Sequence, residues 1–166
     1  MKTGLKRRGK RSPADEGARA AINSKEHREP NPVRVGLISL GCAKNLVDGE
    51  ILLGELLQAG IEITNDPTQA DALIVNTCSF IDSAQEESVD AILECATQRD
   101  ARNPRQALLV AGCLPQRFRE DLPKLLPEVD AFLGLDQVTR IPALVRQALA
   151  RRASQPGATA KPGTRP

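Results

Sequence analysis

Four long apolar runs divide the middle of the chain, and each gives way to a pattern of helical period. "VRVGLISL" (residues 33–40) predicts a strand, and a helix follows from about Asn45 to Ala59 with Leu46, Leu53 and Leu57 on one side and Val47 and Ile51 beside them. Gly60 closes that helix and "IEIT" (61–64) resumes as a short strand. "DALIVNTC" (71–78) is the next buried strand, leading into a helix from about Phe80 to Gln98 on which Ile81, Ala84, Ser88, Ile92 and Cys95 share a face. "QALLVAGC" (106–113) precedes a short helix near 116–122, and "VDAFLG" (129–134) and "VTRIPALVRQALA" (138–150) supply the last strand and helix. Strands that alternate with helices, each apolar on both faces, predict an α/β three-layer sandwich. About five parallel strands fit a flavodoxin-like or a Rossmann-like order, and the pattern leaves that order open.

Outside residues 32–150 the pattern stops. Residues 1–31 lack periodicity, and "SQPGATAKPGTRP" (154–166) is rich in Pro and Gly. Charge follows the same division. The net charge of +2 hides +5 over residues 1–30, −7 over 31–150 and +4 over 151–166. An acidic core between basic arms is not the footprint of a nucleic-acid-binding domain, whose cations lie on the folded face. Two readings of the arms stand: solvated disordered tails, or Lys/Arg tracts that touch RNA or another acidic surface. No run approaches the roughly 18 apolar residues that span a membrane, and no apolar segment follows the basic N-terminus as a secretory signal requires. A cytoplasmic location and reduced thiols are therefore expected, which favours metal binding or catalysis over disulfides.

The candidate chemistry lies in three of the four cysteines. Cys42, Cys78 and Cys113 each follow a predicted strand, and in a parallel sheet those strand ends share the carboxyl edge, where open α/β folds bind ligands. Each also sits just ahead of a predicted helix, whose dipole favours thiolate and nearby negative charge. Structural zinc takes four ligands, often in CxxC pairs, and none occurs here. Cysteine thiolates also hold iron–sulfur clusters, and a 4Fe-4S cluster with three protein ligands leaves one iron open to an exogenous ligand. The alternatives are three thiols buried by coincidence, or zinc completed by a different residue. Cys95, inside a helix among apolar residues, reads as a core thiol.

Other chemistries find little support. There is no GxxxxGK[ST] or GxGxxG loop, the sole histidine, His27, lies in the basic arm, and three Phe with no Tyr or Trp leave little for base stacking. Ser83 and Glu86 in "DSAQEES" stand at capping-box spacing. Asn45 and Asp48 either cap the first helix or point into the mouth beside Cys42, where Lys44 adds a positive charge. Asn76, two residues before Cys78, has the same two readings.

"SLGCAKNLVDGE", "ADALIVNTCSFIDSAQEES" and "LLVAGCLPQR" together resemble the N-terminal domain of the radical-SAM methylthiotransferases over about residues 33–148. The nearest branch modifies an aspartate of ribosomal protein S12. "GCAKNLVD" resembles that branch, whereas the tRNA-adenosine branch, the alternative substrate class, more often carries "GCQMN". A non-catalytic flavodoxin-like docking module, its basic arms contacting a ribosomal surface such as ribosomal RNA, is a further alternative. The resemblance implies that Cys42, Cys78 and Cys113 ligate an auxiliary 4Fe-4S cluster whose open iron holds the sulfur to be delivered. Asn45, Asp48 and Asn76 are then possible outer residues of that site. In the family, a second 4Fe-4S cluster on a CxxxCxxC motif cleaves S-adenosylmethionine to a radical, and a second S-adenosylmethionine supplies the methyl. That motif is absent from the 166 residues, as is a C-terminal recognition domain, so the resemblance implies a fragment that binds a cluster and is inactive alone. Asp48-Gly49-Glu50 departs from the usual DSE of the branch.

Overall fold

The computed structural model describes residues 32–41 and 43–154; the expected basic arm, the segment from residue 155 onward and Cys42 lie outside the described residues. In chain order the elements are β1 (Arg34–Ser39), α1 (Ala43–Gln58), β2 (Glu62–Ile63), β3 (Ala72–Thr77), α2 (Asp82–Arg102), β4 (Ala107–Gly112), α3 (Cys113–Arg117), α4 (Leu122–Leu125), β5 (Ala131–Leu133) and α5 (Ile141–Ser154). Tight 3-10 turns lie at Pro67–Gln69 and Leu135–Arg140. The strands form one parallel sheet in the order β2-β1-β3-β4-β5, the flavodoxin-like of the two orders the pattern allowed.

Alternation along the central strands builds two cores. Ala72, Ile74, Ala107 and Leu109 face Leu52, Leu56, Ile141 and Val145 of α1 and α5. Their neighbours Leu73, Val75, Leu108 and Val110 face Ile92 and Ala96 of α2 and Leu114 and Leu122 of the short helices. Every residue of β3 and β4 is buried, as a sheet covered on both faces requires. None of the described helices is long and apolar enough to cross a membrane.

Helix α1 is rotated from the expected phase. Its inward stripe is Asn45, Gly49, Leu52 and Leu56, whereas Leu46, Val47, Ile51 and Leu57 are exposed. Counting apolar residues misses this stripe, because an amide and a glycine occupy half of it. Helix α2 begins at Asp82 after an Ile81 cap with no side-chain hydrogen bond, so the Ser83–Glu86 capping box does not form. Ser83 falls inside the first turn instead of ahead of it. The expected helix near 116–122 divides into α3 and α4, with Pro123 in the first turn of the second.

The β2–β3 crossover holds a turn in place of a helix. Asp66 caps it, its carboxylate accepting from the backbone N–H (2.9 Å) and hydroxyl (2.6 Å) of Thr68. These bonds, the hydroxyl's foremost, hold the Asp66 carboxyl below its ordinary range. With no helix there, a cavity of about 480 Å³ opens beside α2, floored by Ile38, Leu40 and Leu73 and flanked by Cys95.

Candidate metal centre

Register brings the expected strand ends together. Ser39 of β1 lies opposite Asn76 of β3, and Thr77 lies opposite Gly112 of β4. One residue on, the Leu40 N–H donates to the Asn76 carbonyl at 2.9 Å. The next residue, Gly41, lies directly against Cys78: a Cβ on Gly41 would stand 2.4 Å from the Cys78 Cβ and 3.1 Å from its Sγ. Gly112 stands equally close on the other side, where a Cβ would meet the Thr77 carbonyl at 2.4 Å. Both glycines have positive φ, 97° and 104°, the region that side chains disfavour. Each precedes a cysteine in sequence, and the two glycines lie on either side of the Thr77–Cys78 step.

Cys78 is 4% exposed and Cys113 is half-buried as the first residue of α3. Cys42 lies outside the described residues, and among those described no three His, Cys, Asp or Glu side chains converge as a metal site. Cys95 stands apart on α2, packed against the second core, with its thiol pushed up by burial and then by Glu94. A thiol held protonated in this way is a poor ligand and a poor nucleophile. The helix ends contribute less than expected at the other two cysteines. Cys78 is separated from α2 by residues 79–81, and α3 is only five residues long.

Polar side chains from three helices hold the loop around Cys78. Asn45 of α1 donates its amide to the carbonyls of Leu40 and Asn76, the second at 3.0 Å, and the Asn76 amide donates back to the Asn45 carbonyl at 2.8 Å. Ser88 of α2 donates its hydroxyl to the Cys78 carbonyl at 3.0 Å. Arg117 of α3 donates to the Ser79 carbonyl at 3.1 Å. Gly49 lets α1 approach, since a Cβ there would lie 3.2 Å from the Asn76 amide nitrogen. Neither of the expected caps on α1 forms: Asn45 is its third residue and faces the sheet, and Asp48 pairs with Lys44 at 3.3 Å.

Two features test whether these residues suit a metal–sulfur group. Two glycines remove the side chains that would fill the space between the strand ends, and the Cys78 sulfur, a soft ligand of the kind such a group takes, stands 3.1 Å from the place of a Gly41 Cβ. In addition, the Oδ1 atoms of Asn45 and Asn76 are buried with no hydrogen-bond partner among the described residues. Such orphans are uncommon and call for a partner such as water or a ligand; the third among the described residues, Glu128 Oε2, lies at the other edge of the sheet. The donor set and the space therefore fit. Phe80 (87% exposed) and Ile81 after β3, and Leu46 and Val47 early in α1, are exposed apolar side chains in the segments that follow these strand ends.

Sequence reading passed over Ser88 and Arg117 as site residues. Arg117 was visible in principle, because it follows Cys113 by four positions, one helical turn. Ser88 was placed on the inward face of its helix with no partner assigned.

Comparison with known proteins adds three findings. A model described as "Uncharacterized protein family UPF0004" matches residues 34–134. The ribosomal protein uS12 methylthiotransferase RimO of Akkermansia muciniphila is 55% identical over 122 residues, 72% of this chain and 27% of the relative. Proteins of the same name from Opitutus terrae and Trichlorobacter lovleyi are 54% and 53% identical, covering 72% and 69% of this chain and 26% and 25% of their own lengths. The chain thus spans about a quarter of the length of the curated relatives it matches.

Proposed function

We propose that this chain, which belongs to the family UPF0004, is the sulfur-carrying domain of a transferase that methylthiolates ribosomal protein uS12. On this reading residues 32–150 form the domain, and Cys42, Cys78 and Cys113 hold an auxiliary 4Fe-4S cluster. When bound, such a cluster offers one iron without a protein ligand, where sulfur for transfer can sit. S-adenosylmethionine and the cluster that cleaves it belong to the remaining three quarters of a relative's length, and the uS12 substrate meets that larger protein in the cytoplasm.

The chain's own residues have definable tasks. Cys78 and Cys113 supply thiolates from adjacent strand ends. Asn45 and Asn76 tie the end of β1 to that of β3, so the Gly41 step stays against Cys78 before any metal arrives. Ser88 and Arg117 hold the two carbonyls after Thr77, which keeps the Cys78 loop from closing over the site. The observation that carries the reading is the β1–β3–β4 register, with a glycine on either side of the Thr77–Cys78 step.

Anaerobic reconstitution with iron and sulfide tests it. The 166-residue chain should take up iron with a thiolate-to-iron absorption band. Cys78→Ala and Cys113→Ala should abolish that uptake, and Cys95→Ala should not. A chain that takes up no iron, or one that keeps it after Cys78→Ala, would overturn the reading.

A further inference from the structure

Arg117 links the two described cysteine loops. It lies one helical turn after Cys113, so the two residues share a side of α3, and it reaches across to the carbonyl of Ser79, the residue after Cys78. Its guanidinium rests over the Phe118 ring, 5.3 Å from the centroid, and Phe118 packs against the second core. The planar fork is thereby held in place at the carboxyl edge.

The charge it brings is not balanced locally. Arg119, two residues on, pairs with Asp136 at 2.9 Å, whereas no carboxylate pairs with Arg117 among the described residues. A guanidinium stays protonated at any working pH. A cation bonded to the residue after Cys78 and one turn from Cys113 is suited to an anionic group, since thiolates and the cluster they hold both carry negative charge.

We propose that Arg117 is a positioning residue that clamps the Cys78 loop to the Cys113 helix and sets the reduction potential of the metal–sulfur group held there. The proposal rests on the cluster reading above. A cation near a cluster favours the more negative, reduced form, so its removal lowers the potential. Loss of the clamp loosens ligation, as loss of outer partners does at other metal sites.

Three variants of the 166-residue chain, reconstituted with iron and sulfide, decide it by redox titration and by the rate of iron release to a chelator. Arg117→Gln should lower the potential and speed release about tenfold, with little change in melting because the side chain is exposed. Arg117→Lys should restore the potential but not the slow release, because an ammonium lacks the fork that reaches Ser79. Arg119→Gln, which removes the same charge nearby, should change neither. If loaded wild-type and Arg117→Gln chains share one potential and one release rate, the role of Arg117 is overturned alone. It is overturned too if Arg119→Gln shifts the potential equally. A wild-type chain that binds no iron overturns it together with the cluster reading.

Discussion

The two edges of the sheet solve opposite problems. A parallel sheet leaves unpaired N–H donors where its strands begin and unpaired carbonyls where they end. At the amino edge acceptors gather: Asp71 takes the Arg34 N–H and Asp130 takes the Leu108 N–H, each at 2.8 Å. Asp130 is then paired with Arg152 at 2.8 Å and with Arg99 at 3.7 Å, and Arg99 donates to the Glu128 carbonyl at 2.8 Å. At the carboxyl edge donors gather instead: Asn45, Asn76, Ser88 and Arg117 all give hydrogen bonds to carbonyls. The first edge is held mainly by paired charge, with Glu128 Oε2 buried there without a partner among the described residues. The second has a cation with no carboxylate partner among the described residues, the orphan Asn45 and Asn76 oxygens and exposed apolar side chains, which suits an edge that meets something else.

The contrast is broken most severely at Asp130. Asp130→Ala leaves the Leu108 N–H without its acceptor and Arg152 without its carboxylate, while Arg99 keeps Asp100 at 2.8 Å, so it should cost about 1–3 kcal/mol, read by urea unfolding. Iron uptake by the folded fraction should be unchanged. At the opposite edge Asn45→Ala should cost only about 1 kcal/mol, because its orphan oxygen leaves with its donors. That variant should nevertheless release iron faster, so the two substitutions dissociate stability from loading. Within α1 a finer comparison is available. Gly54 faces open space, so Gly54→Ala should gain up to about 1 kcal/mol from helix propensity. Gly49→Ala should gain less, since its Cβ would press on an Asn76 amide already held by the Asn45 carbonyl.

The smallest effect concerns acid. The Asp66 carboxyl is held below its ordinary range, so the folded state binds its proton less readily than the unfolded chain. Its contribution is therefore complete above the ordinary aspartate value and is lost as pH falls through the lowered one. Asp66→Asn should melt below the wild type near neutrality, with the gap narrowing in acid; a constant gap from about pH 6 to about pH 2 would remove this assignment.

Much of this was legible before any coordinates. β3 and β4 announce themselves as unbroken apolar runs, and each ends in a thiol at or one step past the strand. The short outer strands were read too long, because "IEIT" and "VDAFLG" have strand-like composition but only two and three residues find a partner. The phase of α1 escaped notice, since Asn45 and Gly49 point inward for reasons that hydrophobicity does not measure. The cap on α2 was misread because Ser83 has the right neighbours at the wrong turn.

What the sequence determined alone is local: apolar runs that must be covered on both faces, helices between them that enforce parallel strands, and glycine before cysteine where two strands end. Those follow from periodicity and from the steric freedom of single residues. Strand order, register and the pairing of side chain with carbonyl were decided only by tertiary structure. Asn45 meets Asn76 across 31 positions and Arg117 meets Ser79 across 38. No local pattern encodes such a meeting, because it depends on how three helices settle on one sheet.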